Sequence, residues 1–321
     1  MRGILMGFLA LGLMANGPVQ AKDVSLADVN AANLEGAKAT QAVLLKAQVL
    51  LDRAGFSPGT IDGRTGDNFA NALRSFQKRN DIKDNGMLDQ ATWSKLAATS
   101  SDPAMTAYTI TAADVKGPFV DEIPNDYEKR AALKRLDYTS VTEMLAERFH
   151  MDEEALEELN RGKKFDKEGT VILVANVKRP AVKVQVARLE VDKTQSVVRA
   201  FDKGGKLVAS YPASVGSEEK PAPTGTLKVT RVARNPTYTY NPDFKFKGVK
   251  ATEKVTIAPG PNNPVGAVWI GLSEKSYGIH GTAEPSRVGK VDSHGCVRLT
   301  NWDVLALAAM VKKGTLVAFL E

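Results

Sequence analysis

Apolar residues recur at helical spacing along the first third of the chain. Ala42, Leu45, Ala47, Leu50 and Leu51 share one face of a segment that stops near Gly55, Phe69, Ala72, Leu73 and Phe76 share another, and Trp93 and Leu96 follow Gly86 in a short third. Ser57-Pro58-Gly59 and Ile61-Asp62-Gly63 separate them as turns, because proline fixes φ and glycine accepts positive φ. The pattern predicts a three-helix unit over residues 40–97, with Phe76, Trp93 and Leu96 in its core. Residues 22–39 are Ala-rich without aromatic anchors and are expected to be a flexible leader. Residues 98–137, which include Gly117-Pro118, are expected to be a linker or extended segment.

From Tyr138 two further helical patterns carry Met144-Leu145, Phe149, Ala155-Leu156 and Leu159-Asn160, before an apolar strand from Val171 to Val174. This predicts a small α/β module over 138–178. From 183 to 321 the period becomes two. Strands are expected at 184–191, 196–201, 207–211, 225–232, 268–272, 277–280 and 315–320, with one helix from Asn301 to Val311 capped by Thr300. The fold class expected is multidomain α+β: two small modules and a mainly β, sandwich-like domain with a helix after Cys296.

The composition is that of a globular protein, 43% hydrophobic and 25% charged over 321 residues, which excludes wholesale disorder and a multi-span membrane protein. Net charge is +6, from 43 Lys and Arg against 37 Asp and Glu, and indicates no nucleic-acid partner. Charge is unevenly placed. Residues 121–160 hold 5 basic against 12 acidic side chains, read as a solvated face, whereas 183–321 hold 20 against 12 and suit an anionic polymer. His150 is expected at the surface or as a helix cap.

Arg2, the apolar run Ile4 to Met14 and Val19-Gln20-Ala21 form the n-region, h-region and cleavage site of a signal peptide over residues 1–21. The mature chain is then expected from Lys22, exported to the periplasm or cell envelope and without a membrane span. One cysteine among 321 residues forbids an intramolecular disulfide. Cys296 is therefore a buried passenger, an intermolecular linker or a nucleophile.

Two of the three histidines lie just upstream of that cysteine, in Tyr277-Gly278-Ile279-His280-Gly281-Thr282 and Ser293-His294-Gly295-Cys296-Val297-Arg298. The thiolate is the reactive form of cysteine, and a nearby imidazole generates it by taking the proton. Gly295 lets a substrate backbone approach and frees amides for an oxyanion. These are the parts of acyl transfer. Three other readings remain open: zinc ligation by His280, His294, Cys296 and Asp292, an inert buried thiol, and a papain-like protease, whose histidine lies downstream of its cysteine.

Gln48, Gly55-Phe56, Ile61-Asp62-Gly63, Gly66, Phe76-Gln77, Gly86 and Thr92-Trp93 resemble the peptidoglycan-binding-like domain type 1 over residues 40–97, with Asn68 where that family usually has Thr. Leu159-Asn160 with the Gly-x-x-Ile pattern from Gly169 resembles a degenerate LysM-like glycan-binding domain. The two His-Gly and His-Gly-Cys segments closely resemble the L,D-transpeptidase catalytic domain, the YkuD-like family, over 183–321.

That resemblance implies Cys296 as nucleophile and His280 as general base, with the Gly281 backbone carbonyl holding the imidazole. Amides around His294, Gly295 and Cys296 would form the oxyanion hole. Ser293, Arg298 and Tyr277 would contact substrate, as would Tyr238 and Tyr240 in the lid-like loop Asn235 to Pro242, while Trp269 and Trp302 are expected to pack. No metal or cofactor is implied. The implied substrate is a peptidoglycan tetrapeptide stem, acylating Cys296 with release of D-Ala before transfer to an amine of another stem (a 3-3 cross-link) or of a wall-linked protein. Carbapenem-type β-lactams would acylate the same thiol. An L,D-carboxypeptidase or hydrolase using water, or a non-catalytic peptidoglycan-binding protein, are the alternatives.

Overall fold

The computed structural model describes residues 24–36, 38–178, 184–217, 220–244, 249–293 and 295–321, so the signal peptide expected over 1–21 lies outside the described residues. The first module contains α1 (Leu26–Ala31), α2 (Gln41–Arg53), α3 (Asp67–Arg79) and α4 (Gln90–Ala97). Thr40 caps α2 by accepting from the Val43 amide, and Asp89 caps α4 by accepting from Thr92. Phe76, Trp93 and Leu96 are buried together in its core, as their spacing predicts.

The module's polar landmarks hold loops in place. The Gln48 amide receives the Asp62 and Gly63 N–H groups and donates to Asp62 and the Arg64 carbonyl. Gln77 does the same between Gly86, Met87, Asn85 and Thr92. Each buried amide thereby satisfies the backbone of a turn.

The flexible leader expected over 22–39 is corrected in its described part. Ser25 and Asp28 form a reciprocal capping box at α1, and Val29 and Leu34 are buried, so the segment is anchored by apolar contacts. The linker expected over 98–137 is likewise corrected. It contains β1 (Met105–Thr109), α5 (Ala112–Lys116) and α6 (Tyr127–Ala131). After α7 (Val141–Arg148) and α8 (Glu153–Leu159), β2 (Val171–Ala175) returns antiparallel to β1 with Met105 opposite Ala175. β1 thus supplies the backbone ladder that β2 needs, within a stretch whose Pro and Gly turn signals suggested a linker.

The remaining residues form β3 (Arg188–Asp192), β4 (Val197–Phe201), β5 (Leu207–Pro212), β6 (Ser214–Val215), β7 (Gly225–Arg234), β8 (Tyr238–Tyr240), β9 (Val255–Ile257), β10 (Val268–Leu272), β11 (Gly278–His280), β12 (Val297–Arg298), α9 (Asn301–Met310) and β13 (Leu316–Leu320). Nine of them make one sheet in the order β5-β4-β3-β13-β7-β10-β11-β12-β6, while β8 and β9 pair separately. The ten-residue β7 joins the halves, pairing with β13 through Gly225 to Lys228 and with β10 through Val229 to Arg234. Its two edge strands, β5 and β6, are separated in sequence by Ala213 alone. The sheet must therefore fold back on itself, and the sandwich-like expectation takes this form. Both halves and α9 contribute to one core, including Leu189, Val198, Ile270, Ile279, Val297 and Leu307.

The modules share surfaces. Residues 55–57 pair with Ser210 on edge strand β5, covering backbone groups that would otherwise be a template for association. Ile61 bridges to Met151. At the centre, the His150 ring stacks on Trp302 with centroids 5.0 Å apart, while its Nδ1 lies 3.1 Å from the buried Asp52 carboxylate. His150 is thus a junction residue of all three modules, not the surface or capping residue expected. No described helix is long and apolar enough to cross a membrane.

Ser57 Oγ donates to the buried Asp303 Oδ2 at 2.7 Å across this junction. Ser57→Ala is expected to destabilise the chain by about 1.5–3 kcal/mol, the cost of losing a buried hydrogen bond to a charged group. Urea unfolding followed by tryptophan fluorescence and by circular dichroism should show one transition shifted as a unit. A shift confined to one of two separate transitions would contradict the shared junction.

Candidate active site

β11 and β12 run parallel, with Ile279 opposite Val297 and His280 opposite Arg298. Continuing that register back by one residue sets Cys296 beside Gly278. Alternate residues of a strand share a face, so His280, Arg298 and Cys296 project to one side while Ile279 and Val297 are buried in the core on the other. The fifteen residues that separate His280 from Cys296 in sequence are thereby reduced to the spacing of neighbouring strands.

His280 is 6% exposed, and its ring stacks on Trp269 of β10 with centroids 5.6 Å apart. Its Nδ1 lies 2.7 Å from the Gly281 carbonyl oxygen. A carbonyl only accepts, so Nδ1 carries the proton and Nε2 keeps a lone pair. Burial pushes the imidazole down to about 4; the Arg298 charge adds to this and the Gly281 carbonyl opposes it.

Cys296 is partly exposed, its thiol directed to the Ser276 carbonyl at 3.7 Å. Burial pushes the thiol up, against a hydrogen bond with the Gly278 backbone and the charges of Lys220 and Arg298. The resting pair is thus a neutral thiol and a neutral imidazole. Such a pair can transfer a proton as sulfur attacks, without a standing ion pair.

Gly295 has φ +92°, and a Cβ there would come within 3.0 Å of the Lys220 side chain. Glycine thus allows both the turn and the passage of Lys220 over the nucleophile loop. Ser293 accepts from the Gly216 amide at 2.7 Å and donates to the Cys296 carbonyl. Its hydroxyl braces the loop, and the residue also lines the cleft. His294 lies outside the described residues.

The Tyr277 hydroxyl donates to the Pro221 carbonyl at 3.3 Å and its ring lies beneath the Lys220 ammonium, 5.8 Å away. It supports the Lys220 segment. Tyr238 faces the cleft, whereas Tyr240 is 1% exposed and packs edge-on against Tyr127, centroids 5.3 Å apart, within the β8–β9 hairpin. Arg298 lines the cleft as expected, and its guanidinium lies in the field of Glu284.

These groups open into a cleft of about 1510 Å³ whose far wall is built from the second module, including Tyr127, Glu143 and Glu147. Sequence reasoning missed Lys220, Tyr127 and Asn301. The first two lie in segments without periodicity. Asn301, five residues after Cys296, was legible only as a helix start; its Oδ1 accepts from the Ala267 amide at 2.9 Å and its Nδ2 donates to Glu147.

Residues 187–318 match the family model described as "L,D-transpeptidase catalytic domain" (YkuD), and residues 41–96 match that described as "Putative peptidoglycan binding domain". Among curated relatives, "Putative L,D-transpeptidase YkuD" of Bacillus licheniformis is 34% identical over 131 residues, 41% of this chain and 64% of its own length. "Probable L,D-transpeptidase YbiS" of Escherichia coli is 36% identical over 126 residues, 38% of this chain and 40% of its own. The chain therefore spans less than two thirds of these relatives. A crystal structure of L,D-transpeptidase 3 from Mycobacterium tuberculosis aligns at 17% identity over 48% of this chain and 76% of that one, with a TM-score of 0.36, too remote to bear on the site. On the sequence matches, residues 187–318 are similar to the L,D-transpeptidase catalytic domains of the YkuD family and residues 41–96 to the peptidoglycan-binding family.

Proposed function

We propose that the protein is a cysteine-dependent L,D-transpeptidase of the cell envelope, exported by the segment over residues 1–21 and active in cell-wall biogenesis and the maintenance of cell shape. The observation that carries the reading is the placement of His280 and Cys296 on one face of adjacent parallel strands, at the floor of a cleft large enough for peptide stems. The peptidoglycan-binding domain would hold the same polymer that the cleft processes.

In the first step the Cys296 sulfur attacks the carbonyl between the diaminopimelate residue and terminal D-Ala of a tetrapeptide stem, and Nε2 of His280 takes the thiol proton. The C–N bond breaks, D-Ala leaves with that proton, and a thioester remains. In the second step the side-chain amine of another stem attacks the thioester, His280 takes a proton from the amine, and the thiol is restored as a 3-3 cross-link forms. Amides at Gly295 and Cys296 are suited to the oxyanion of each tetrahedral intermediate. Arg298 and Lys220 suit the carboxylates of the stem. A wall-linked protein amine is an acceptor of the same chemistry. The thiol is also the group that a carbapenem would acylate.

Incubation with purified tetrapeptide muropeptides is expected to give a Cys296 acyl adduct by intact-protein mass and a cross-linked dimer by chromatography. Cys296→Ala should give neither, and His280→Ala should slow acylation by roughly 10²- to 10⁴-fold. Tripeptide as sole product would transfer the assignment to an L,D-carboxypeptidase; no adduct under reducing conditions would overturn the enzyme reading.

The acid limb of acylation follows from the depressed imidazole. Neutral His280 is the base, so the rate should persist as pH falls below 6.5 and be lost as it passes through about 4, where the ring protonates. Arg298→Ala removes a charge that lowers both groups, so it should move this limb to higher pH and raise the thiol further. Stopped-time mass measurements of carbapenem adduct between pH 3.5 and 8, with folding checked by circular dichroism, test both; a wild-type limb centred near 6.5 would contradict the buried neutral base.

A further inference from the structure

The second module contributes a buried carboxylate to the foundations of the site. Glu147 lies near the end of α7, and its two oxygens accept from Asn301 Nδ2 at 3.1 and 3.0 Å, while Oε1 also accepts from the Tyr138 hydroxyl at 2.9 Å. Asn301 is the first residue of α9, and its Nδ2 also donates to the Pro261 carbonyl at 3.1 Å. Its Oδ1 points the other way, to the Ala267 amide at 2.9 Å. That oxygen lies against the Gly281 backbone so closely that a Cβ on Gly281 would fall 2.1 Å from it.

Both backbone segments touched by Asn301 lead to His280. Ala267 precedes β10, whose Trp269 stacks on the imidazole, and Gly281 offers the carbonyl that fixes its tautomer. We propose that Glu147 is a positioning residue for the general base: by setting the orientation of the Asn301 amide, it fixes the two backbone segments that hold His280. This rests on the reading of His280 as base given above. The physical reason is directional. An ionised carboxylate only accepts, so it compels the NH₂ group of Asn301 to face it and leaves the oxygen for Ala267. With the amide reversed, its NH₂ would confront the Ala267 N–H, two donors facing one another beside Gly281.

Burial pushes the Glu147 carboxyl up to about 7, with Glu143 adding to the rise and the Asn301 and Tyr138 donors opposing it. The second module thus bears an electrostatic cost at Glu147, and the hydrogen bonds to Asn301 give that carboxylate its partner.

The test uses the full chain at pH 8, where Glu147 is ionised, and imipenem as the acylating probe followed by intact mass. Saturating-rate and half-saturation values are measured for wild type, Glu147→Ala, Glu147→Gln, Asn301→Ala and the Glu147→Ala/Asn301→Ala double variant. Glu147→Ala is expected to lower the saturating rate roughly 10- to 100-fold, the scale of a small misplacement of a catalytic group, with half-saturation within about twofold. Glu147→Gln keeps an acceptor oxygen for Asn301 and should recover most of the rate. The double variant should be no slower than the slower single variant. Nitrogen-15 spectra of the imidazole should show a single Nδ1–H tautomer in wild type and a mixture in Glu147→Ala.

Acylated wild type with an unimpaired Glu147→Ala, a loss seen only in half-saturation, or fully multiplicative single losses would each overturn the positioning role. Wild type that is not acylated would overturn the reading of the site itself. Glu147→Asp, which keeps the charge but retracts it from Asn301, replaces Glu147→Ala if that variant does not fold, and the same loss in saturating rate is expected.

Discussion

The site depends on one short parallel pairing, the two registered residues that align β11 with β12. Parallel strands need a crossover, and here the loop from Gly281 to Cys296 supplies it without a helix longer than the turn at Pro285–Arg287. The pairing fixes which side chains share a face, so a slip of one residue would send His280 into the core and Ile279 into the cleft. Ile279 and Val297 prevent that slip, because both are buried and would have to be exposed. Catalytic geometry is thus enforced by hydrophobic burial on the opposite side of the same strands.

That pairing is in turn held by groups outside the two strands, some in the same domain and some in the other modules. Ser293 ties the nucleophile loop to Gly216 beside the edge strand β6, and α9 begins two residues after β12. The helix presents Asn301, Trp302 and Asp303 in succession to three different neighbours: Glu147, His150 and Ser57. Three consecutive residues on a helix diverge by about 100° each, so a single turn can be gripped from several directions. The modules are therefore not beads on a linker. Their relative placement is fixed by buried polar contacts, which also makes the second module one wall of the cleft.

Much of this was legible in the sequence. The helices of residues 41–97, the principal strands after residue 188 and the capped helix at Asn301 follow from periodicity and from Thr and Asp caps, which are local signals. That His280 and Cys296 belong to one site was an expectation of their glycine-flanked motif, and β11 and β12 place them on one face. What failed were properties set by distant partners. β1 lies in a stretch with ordinary turn composition and exists because β2 offers it a ladder; α1 is held by the burial of Val29 and Leu34. The hydroxyl contacts of Ser293 and Tyr277 and the ring contact of Tyr240 likewise join residues far apart in sequence, which no local pattern reveals.

The electrostatics give the arrangement its logic. A thiol pushed up and an imidazole pushed down would be a poor ion pair at rest, since burial opposes charge on both. In the proposed acyl transfer, proton transfer from sulfur to nitrogen would become favourable only when a third charge shares the cost, and that charge would be the oxyanion formed as the carbonyl is attacked. Lys220 and Arg298 would then stabilise negative charge that the resting state lacks. Under that proposal the thiol stays protonated until an acyl donor occupies the cleft, which would favour selectivity for the transition state over a permanently reactive thiolate.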